Sequence, residues 1–135
     1  MKSDMVERLT GNLHLVFSEP PRDVSDAEFD RWYDAHLEEI LATPGFVSAQ
    51  RFRLENVVEN AVAPVRYRYL TVYEIDGDPN VALAELARRG LGSQDSYTKL
   101  KDVDSGSLPL PDWFGRVGFA SVNCYALGDR VEAKE

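Results

Sequence analysis

The run "SDAEFDRWYDAHLEEILATPGF" (residues 25–46) constrains the fold of this chain more than any other stretch. It predicts one amphipathic helix with both ends written into the sequence. Ser25 and Glu28 have capping-box spacing, in which the hydroxyl meets one free helix amide and the carboxylate another. Val24 and Phe29 are placed to staple across that cap. Pro44 cannot continue a helix and disfavours helical geometry at Thr43, and Gly45 permits the reversal that follows. At about 100° per residue, Trp32, His36, Phe29, Ile40, Tyr33 and Leu37 fall in that order over roughly 140° of the wheel. An imidazole therefore sits inside the stripe that must be buried, while Arg31, Asp34, Ala35, Glu38 and Glu39 occupy the other side.

Strands flank this helix. "NLHLVFS" alternates Leu13, Leu15 and Phe17 against His14 and Val16, the period of a strand. After Gly45, "FVSAQRFRLENVV" (46–58) and "VRYRYLTVYEI" (65–75) read as an antiparallel pair around a turn near 59–64. In the second of these, Tyr67, Tyr69, Thr71 and Tyr73 are expected on one face and Leu70 and Val72 on the other. "PNVALAELARRG" (79–90) is a second helix that stops near Gly90. "SQDSYTKLK" (93–101) has the pattern of a short helix, and the Ser/Gly/Pro-rich 102–112 that of a loop suited to be a lid. "WFGRVGFASVNCYAL" (113–127) is expected to close the sheet, with Gly115 and Gly118 marking a bulge or a close approach.

The order β-α-β-β-α-β is the ferredoxin-like arrangement, a four-stranded antiparallel sheet with both helices on one face. The fold class is α+β, and residues 1–135 read as a single domain with polar ends at about 1–10 and 128–135. The opposite sheet face is also apolar, and a second copy of the chain is the simplest cover, giving a homodimer.

Composition narrows the function. The chain carries 15 Lys+Arg against 23 Asp+Glu, a net charge of −8. Such a surface does not suit a nucleic-acid backbone. No apolar run approaches the roughly 20 residues of a membrane span, and the N-terminus has no apolar signal core, so a cytoplasmic protein is expected. Cys124 is the single cysteine and lies in an apolar strand, as a buried inert thiol would. Nucleotide and serine-nucleophile motifs are absent. With two histidines and no second Glu-x-x-His, a metal site is not expected, although His36 and Glu39 have i, i+3 spacing.

The helix from Phe29 through Trp32, Tyr33 and His36 to Pro44-Gly45-Phe46, continued by "SAQRFRL", resembles the EthD-like branch of the dimeric α/β-barrel superfamily. That branch carries F-x-x-(W/Y)-Y-x-x-H followed by a P-G-(F/L) turn. The resemblance implies a homodimer with two sheets back to back and a pocket between each sheet and its helices. In related cyclases a histidine at the position of His36 acts as acid or base. The superfamily also includes dehydratases, decarboxylases, isomerases, cofactor-free monooxygenases, haem proteins and members with no assigned activity.

The expected site follows. His36 is the catalytic candidate, because imidazole titrates near neutrality and can move a proton. A satisfied core histidine is the competing reading. Phe29, Trp32, Tyr33, Tyr69, Tyr73 and Trp113 are candidates to line a pocket for a small hydrophobic or aromatic molecule. His14 joins them if its face points to the helices. Tyr69 or Tyr73 could hydrogen-bond a carbonyl where charge develops. Arg51, Arg53, Arg66 and Arg68 are expected to be solvated or paired with Glu55 and Glu74, or else to anchor a substrate carboxylate. No cofactor is expected. The expected activity is histidine acid/base chemistry on a carbonyl-bearing compound, with a non-catalytic binding protein, a haem protein or a monooxygenase as alternatives.

Overall fold

The computed structural model describes residues 11–57, 63–91 and 110–134. The elements are β1 (Asn12–Glu19), α1 (Asp26–Leu41), β2 (Phe46–Arg53), β3 (Tyr69–Ile75), α2 (Pro79–Arg88) and β4 (Gly118–Cys124). The four strands form one antiparallel sheet in the order β2-β3-β1-β4. This is the ferredoxin-like arrangement expected from the sequence. The expected leader (1–10) and short helix (93–101) lie outside the described residues, as do most of the 59–64 turn and most of the 102–112 loop. Among the described residues no helix is long and apolar enough to cross a membrane.

The helix ends form as their residues dictate. Ser25 Oγ accepts the backbone N–H of Glu28 at 3.1 Å. Val24 and Phe29 join one apolar cluster, so the staple closes. The second half of the expected capping box does not form, and the Glu28 carboxylate instead accepts the indole N–H of Trp113 at 3.0 Å. At the other end Gly45 has φ +99°, and its carbonyl accepts Asp76 N–H at 2.8 Å. A left-handed glycine thus turns the chain from α1 into β2 beside the end of β3.

Register fixes the faces. His14 opposes Tyr73, Val16 opposes Thr71, and Ser18 opposes Tyr69. Tyr69, Thr71, Tyr73 and Ile75 are buried, as are His14 and Ser18. This is the side covered by α1 over β2 and α2 over β1. The other side carries Leu13, Leu15, Phe17, Leu70, Val72 and Val122, half-buried or exposed. No element among the described residues packs across it.

Several expected details differ. The second strand ends at Arg53 and the third begins at Tyr69, each shorter than its apolar pattern. Tyr67 therefore lies before the strand and escapes the alternation. Its ring meets Phe17 at 5.8 Å on the outer face, away from Tyr69 and Tyr73. Trp113–Val117 is not strand: Phe114–Arg116 form a 3-10 turn, and β4 starts at Gly118. The sheet irregularity falls at Val47, between Phe46 and Ser48, and not at Gly115 or Gly118.

Candidate functional site

The helix stripe and the inner sheet face enclose a continuous aromatic layer. At the start of α1, Phe29, Tyr33, Tyr69 and Trp113 cluster with Val24 and Val117. Phe29 is fully buried, with ring centroids 5.5 Å from Tyr33, 5.2 Å from Tyr69 and 5.8 Å from Trp113. The polar tips in this cluster are satisfied locally. Trp113 gives its N–H to Glu28, and the Tyr69 hydroxyl donates to Asp26 Oδ1 at 2.5 Å. Burial and the Asp26 carboxylate push the Tyr69 phenol up to about 12. Burial also raises Tyr33, against smaller opposing effects from Thr71, Tyr73 and Arg51. The Thr71 hydroxyl is near enough to influence Tyr33 but has no partner in hydrogen-bond geometry.

Arg51 enters this layer from β2. Its guanidinium carbon stands 4.7 Å over Tyr33, 5.3 Å over Tyr69 and 5.5 Å over Phe29. Nη1 donates to Asp30 Oδ1 at 2.9 Å, with Asp34 at 3.6 Å. The expected pairing with Glu55 or Glu74 is thus replaced by a clamp from sheet to helix. Arg68 pairs with Glu19 at 2.7 Å and also reaches Asp26. A cation stacked on three rings and held by helix carboxylates fixes where α1 sits on the sheet.

One turn further along α1 lies His36, 6% exposed. Its imidazole stacks on Trp32, with centroids 4.8 Å apart and planes 14° apart, and meets the Tyr33 ring edge-on at 5.8 Å. Nδ1 is 3.5 Å from Glu39 Oε1. Glu39 was expected on the polar side of the wheel, yet it lies close enough to act on the ring. The i, i+3 spacing is the sequence signal for that pair. Trp32 bridges onward to Phe114 at 5.2 Å, and its indole nitrogen is buried without a hydrogen bond.

Across the layer, His14 lies on the helix-facing side, which settles its face. It is 7% exposed, its ring is 6.0 Å from Tyr73, and Nδ1 is 2.8 Å from Asn123 Oδ1. Burial lowers the His14 pKa, and the Asn123 contact works weakly the other way. Asn123 was not anticipated. Its signal was available, since it is the polar residue that alternates with Ser121 and Phe119 in "GFASVNC". Register puts all three on the helix side with His14, and there Ser121 is exposed.

The eight expected site residues thus share one layer but not one role. Phe29, Tyr33, Tyr69 and Trp113 form its closed end. Tyr73 and His14 face each other across β3 and β1, and Trp32 and His36 stack on each other along α1. A cavity of about 710 Å³ lies beyond this layer, at the end of the sheet, among Asn12, Glu74, Asp76, Asp78, Asn80 and Tyr125. Among the described residues no group of three or more His, Cys, Asp or Glu is gathered to hold a metal.

No protein-family model matches the chain, and no curated protein does. Solved structures do. The protein At3g17210 from Arabidopsis thaliana superposes with a TM-score of 0.56 at 11% identity, covering 89% of this chain and 99% of its own. A dimeric ferredoxin-like protein of unknown function from Thermobifida fusca gives 0.48 at 12% identity, over 86% of this chain and 91% of its own. The heme-degrader MhuD from Mycobacterium tuberculosis gives 0.46 at 13% identity, over 89% and 99%. The last two superpose too loosely to inform the chemistry, and identities this low speak of fold alone. The likeness to At3g17210 supports the fold, a ferredoxin-like sheet with both helices on one face, and does not reach the EthD-like branch named from the helix and its Pro-Gly turn.

Proposed function

We propose that the chain is a cofactor-independent enzyme that uses His36 as general acid and base on a small hydrophobic or aromatic, carbonyl-bearing compound. The placement of His36 carries this reading. It lies on the sheet-facing stripe of α1, stacked on Trp32, with the Glu39 carboxylate 3.5 Å from Nδ1. A carboxylate beside one ring nitrogen helps to orient an imidazole for proton transfer. The aromatic walls suit a flat apolar ligand. The bond change is a cyclisation, dehydration or isomerisation, in which a proton is removed and one is returned, or a decarboxylation, in which a proton replaces the departing CO2. A placed histidine contributes about 10²–10⁴-fold, so positioning by the aromatic layer supplies the rest.

The reading includes a homodimer in the cytoplasm. The outer sheet face supports the dimer, with Phe52 at 41% and Val122 at 49% exposure beside Leu15, Phe17, Leu70 and Val72. A sheet buried on one face by helices needs a second layer on the other when that face is apolar. A single cysteine, which can form no internal disulfide, fits the reducing compartment of the cytoplasmic reading.

A second reading, a non-catalytic carrier of the same kind of ligand, is favoured by the closed packing of Phe29, Tyr33, Tyr69 and Trp113. His36→Gln separates the two. Assayed on a panel of aromatic ketones and β-keto compounds, an enzyme loses most of its turnover while its melting temperature holds. A carrier binds the same compounds unchanged and turns over none of them. A visible spectrum of the purified protein tests the haem alternative in the same preparation.

A further inference from the structure

We infer that His14 is a specificity-determining residue of this site: Asn123 holds its Nδ1 as the donor, and Nε2 stands as an acceptor for a ligand hydroxyl or N–H. The inference rests on the reading that the inner face of the sheet takes a small molecule, and it narrows that molecule to one with a hydrogen-bond donor.

The geometry is built from three elements. His14 on β1 and Asn123 on β4 are directly opposed in register, and Nδ1 meets Oδ1 at 2.8 Å. The Asn123 amide continues to Asn80 on α2, its Nδ2 3.5 Å from Asn80 Oδ1, and Asn80 Nδ2 is 3.5 Å from the Tyr125 hydroxyl. With the amides in this orientation, Asn123 turns its carbonyl oxygen to His14, and a proton on Nδ1 satisfies it. A neutral imidazole with its proton on Nδ1 has a bare lone pair on Nε2. Burial favours the neutral ring. His14 makes no other side-chain hydrogen bond among the described residues.

An acceptor fixed in this way discriminates by what it cannot do. It takes a hydroxyl, enol or N–H, and it leaves a bare carbonyl or ether facing a lone pair. His36 then handles the proton of the reaction while His14 reads a substituent.

Long-range proton–nitrogen NMR on the full chain tests the tautomer directly, because the protein has two histidines and His36→Gln assigns them. Wild type should show His14 neutral at pH 7 with its proton on Nδ1, and Asn123→Asp, whose carboxylate can only accept, should keep a proton on Nδ1 and raise the His14 pKa. Asn123→Leu should move the proton to Nε2 or mix the two forms. A wild-type His14 with its proton on Nε2, or charged at pH 7, overturns the inference. Selectivity is read with 1-naphthol and 1-methoxynaphthalene, which differ in one donor. Wild type should bind 1-naphthol at least about tenfold more tightly, and Asn123→Leu should lose that preference. Equal affinities, a preference that survives Asn123→Leu, or no response of the His14 signals to either probe refutes the selectivity. The tautomer readout involves no turnover, so its failure is distinct from a failure of the His36 assignment.

Discussion

Replacing Gly45 by alanine should destabilise the protein through two separable effects. The first is backbone strain: φ at Gly45 is +99°, a conformation L-residues rarely adopt. Holding alanine there is worth about 1–3 kcal/mol against the fold. The second is overlap, because a Cβ at Gly45 falls 2.8 Å from the Cβ of Ala82 on α2. Carbon atoms pack at about 3.5–4.0 Å, so α2 must retreat by roughly 1 Å, at about 1–3 kcal/mol for an overpacked contact. The total of about 2–6 kcal/mol corresponds to a fall in melting temperature of at least about 6 °C for a chain of this size. Thermal and urea unfolding measure it. Ala82→Gly separates the two effects. Alone it costs about 1 kcal/mol in helix propensity, and in its presence Gly45→Ala should cost less by about 1 kcal/mol or more. The Cα of Ala82 remains at 3.5 Å, so the overlap is largely relieved while the strain stays. A Gly45→Ala protein within about 2 °C of wild type refutes both effects, and strict additivity refutes the overlap.

Three further outcomes are expected. Because His14 has a pKa below 6.5 in the folded chain, the unfolded chain binds the extra proton first as pH falls. Its contribution to stability is therefore constant above about pH 6.5 and declines below it, which unfolding of wild type against His14→Phe at several pH values reads. Arg51→Met removes the cation from the Phe29, Tyr33 and Tyr69 rings and frees Asp30, and it should lower stability by about 1–2 kcal/mol in urea unfolding. Leu15→Lys, on the outer sheet face, should convert a dimer mass to a monomer mass in light scattering at micromolar concentration; a wild type that is already monomeric removes the dimer from the account.

What was legible in the sequence was what local chemistry controls. Ser25, Pro44 and Gly45 act on their own neighbours, so the limits of α1 followed from the residues. The inner stripe of Phe29, Trp32, Tyr33, His36 and Ile40 followed from the helical period, and the element order yielded the fold. Contacts between distant segments were not legible. Glu28 has capping-box spacing, but Trp113 arrives from 85 residues away and takes its carboxylate. Arg51 looks like a solvated strand residue until α1 is laid over it with Asp30 and Asp34. The face of His14 required the register of β1 with β3, and Tyr67 could not be separated from Tyr69 before the start of β3 was known. Trp113 to Val117 are apolar enough for a strand, but the chain turns there to seat Trp113 on α1.

Hydrogen–deuterium exchange of a bound compound tests the acid/base role of His36 most directly. Aromatic ketones and β-keto compounds with an exchangeable proton next to the carbonyl are incubated with the protein in deuterated water, and label uptake is followed by NMR. The wild-type protein should accelerate exchange of a compound it binds. His36→Gln, folded and still binding, should lose about 10²-fold or more of that acceleration. Equal exchange rates in the two proteins, at matched occupancy, would contradict the assignment and leave His36 as a core histidine oriented by Glu39 and Trp32.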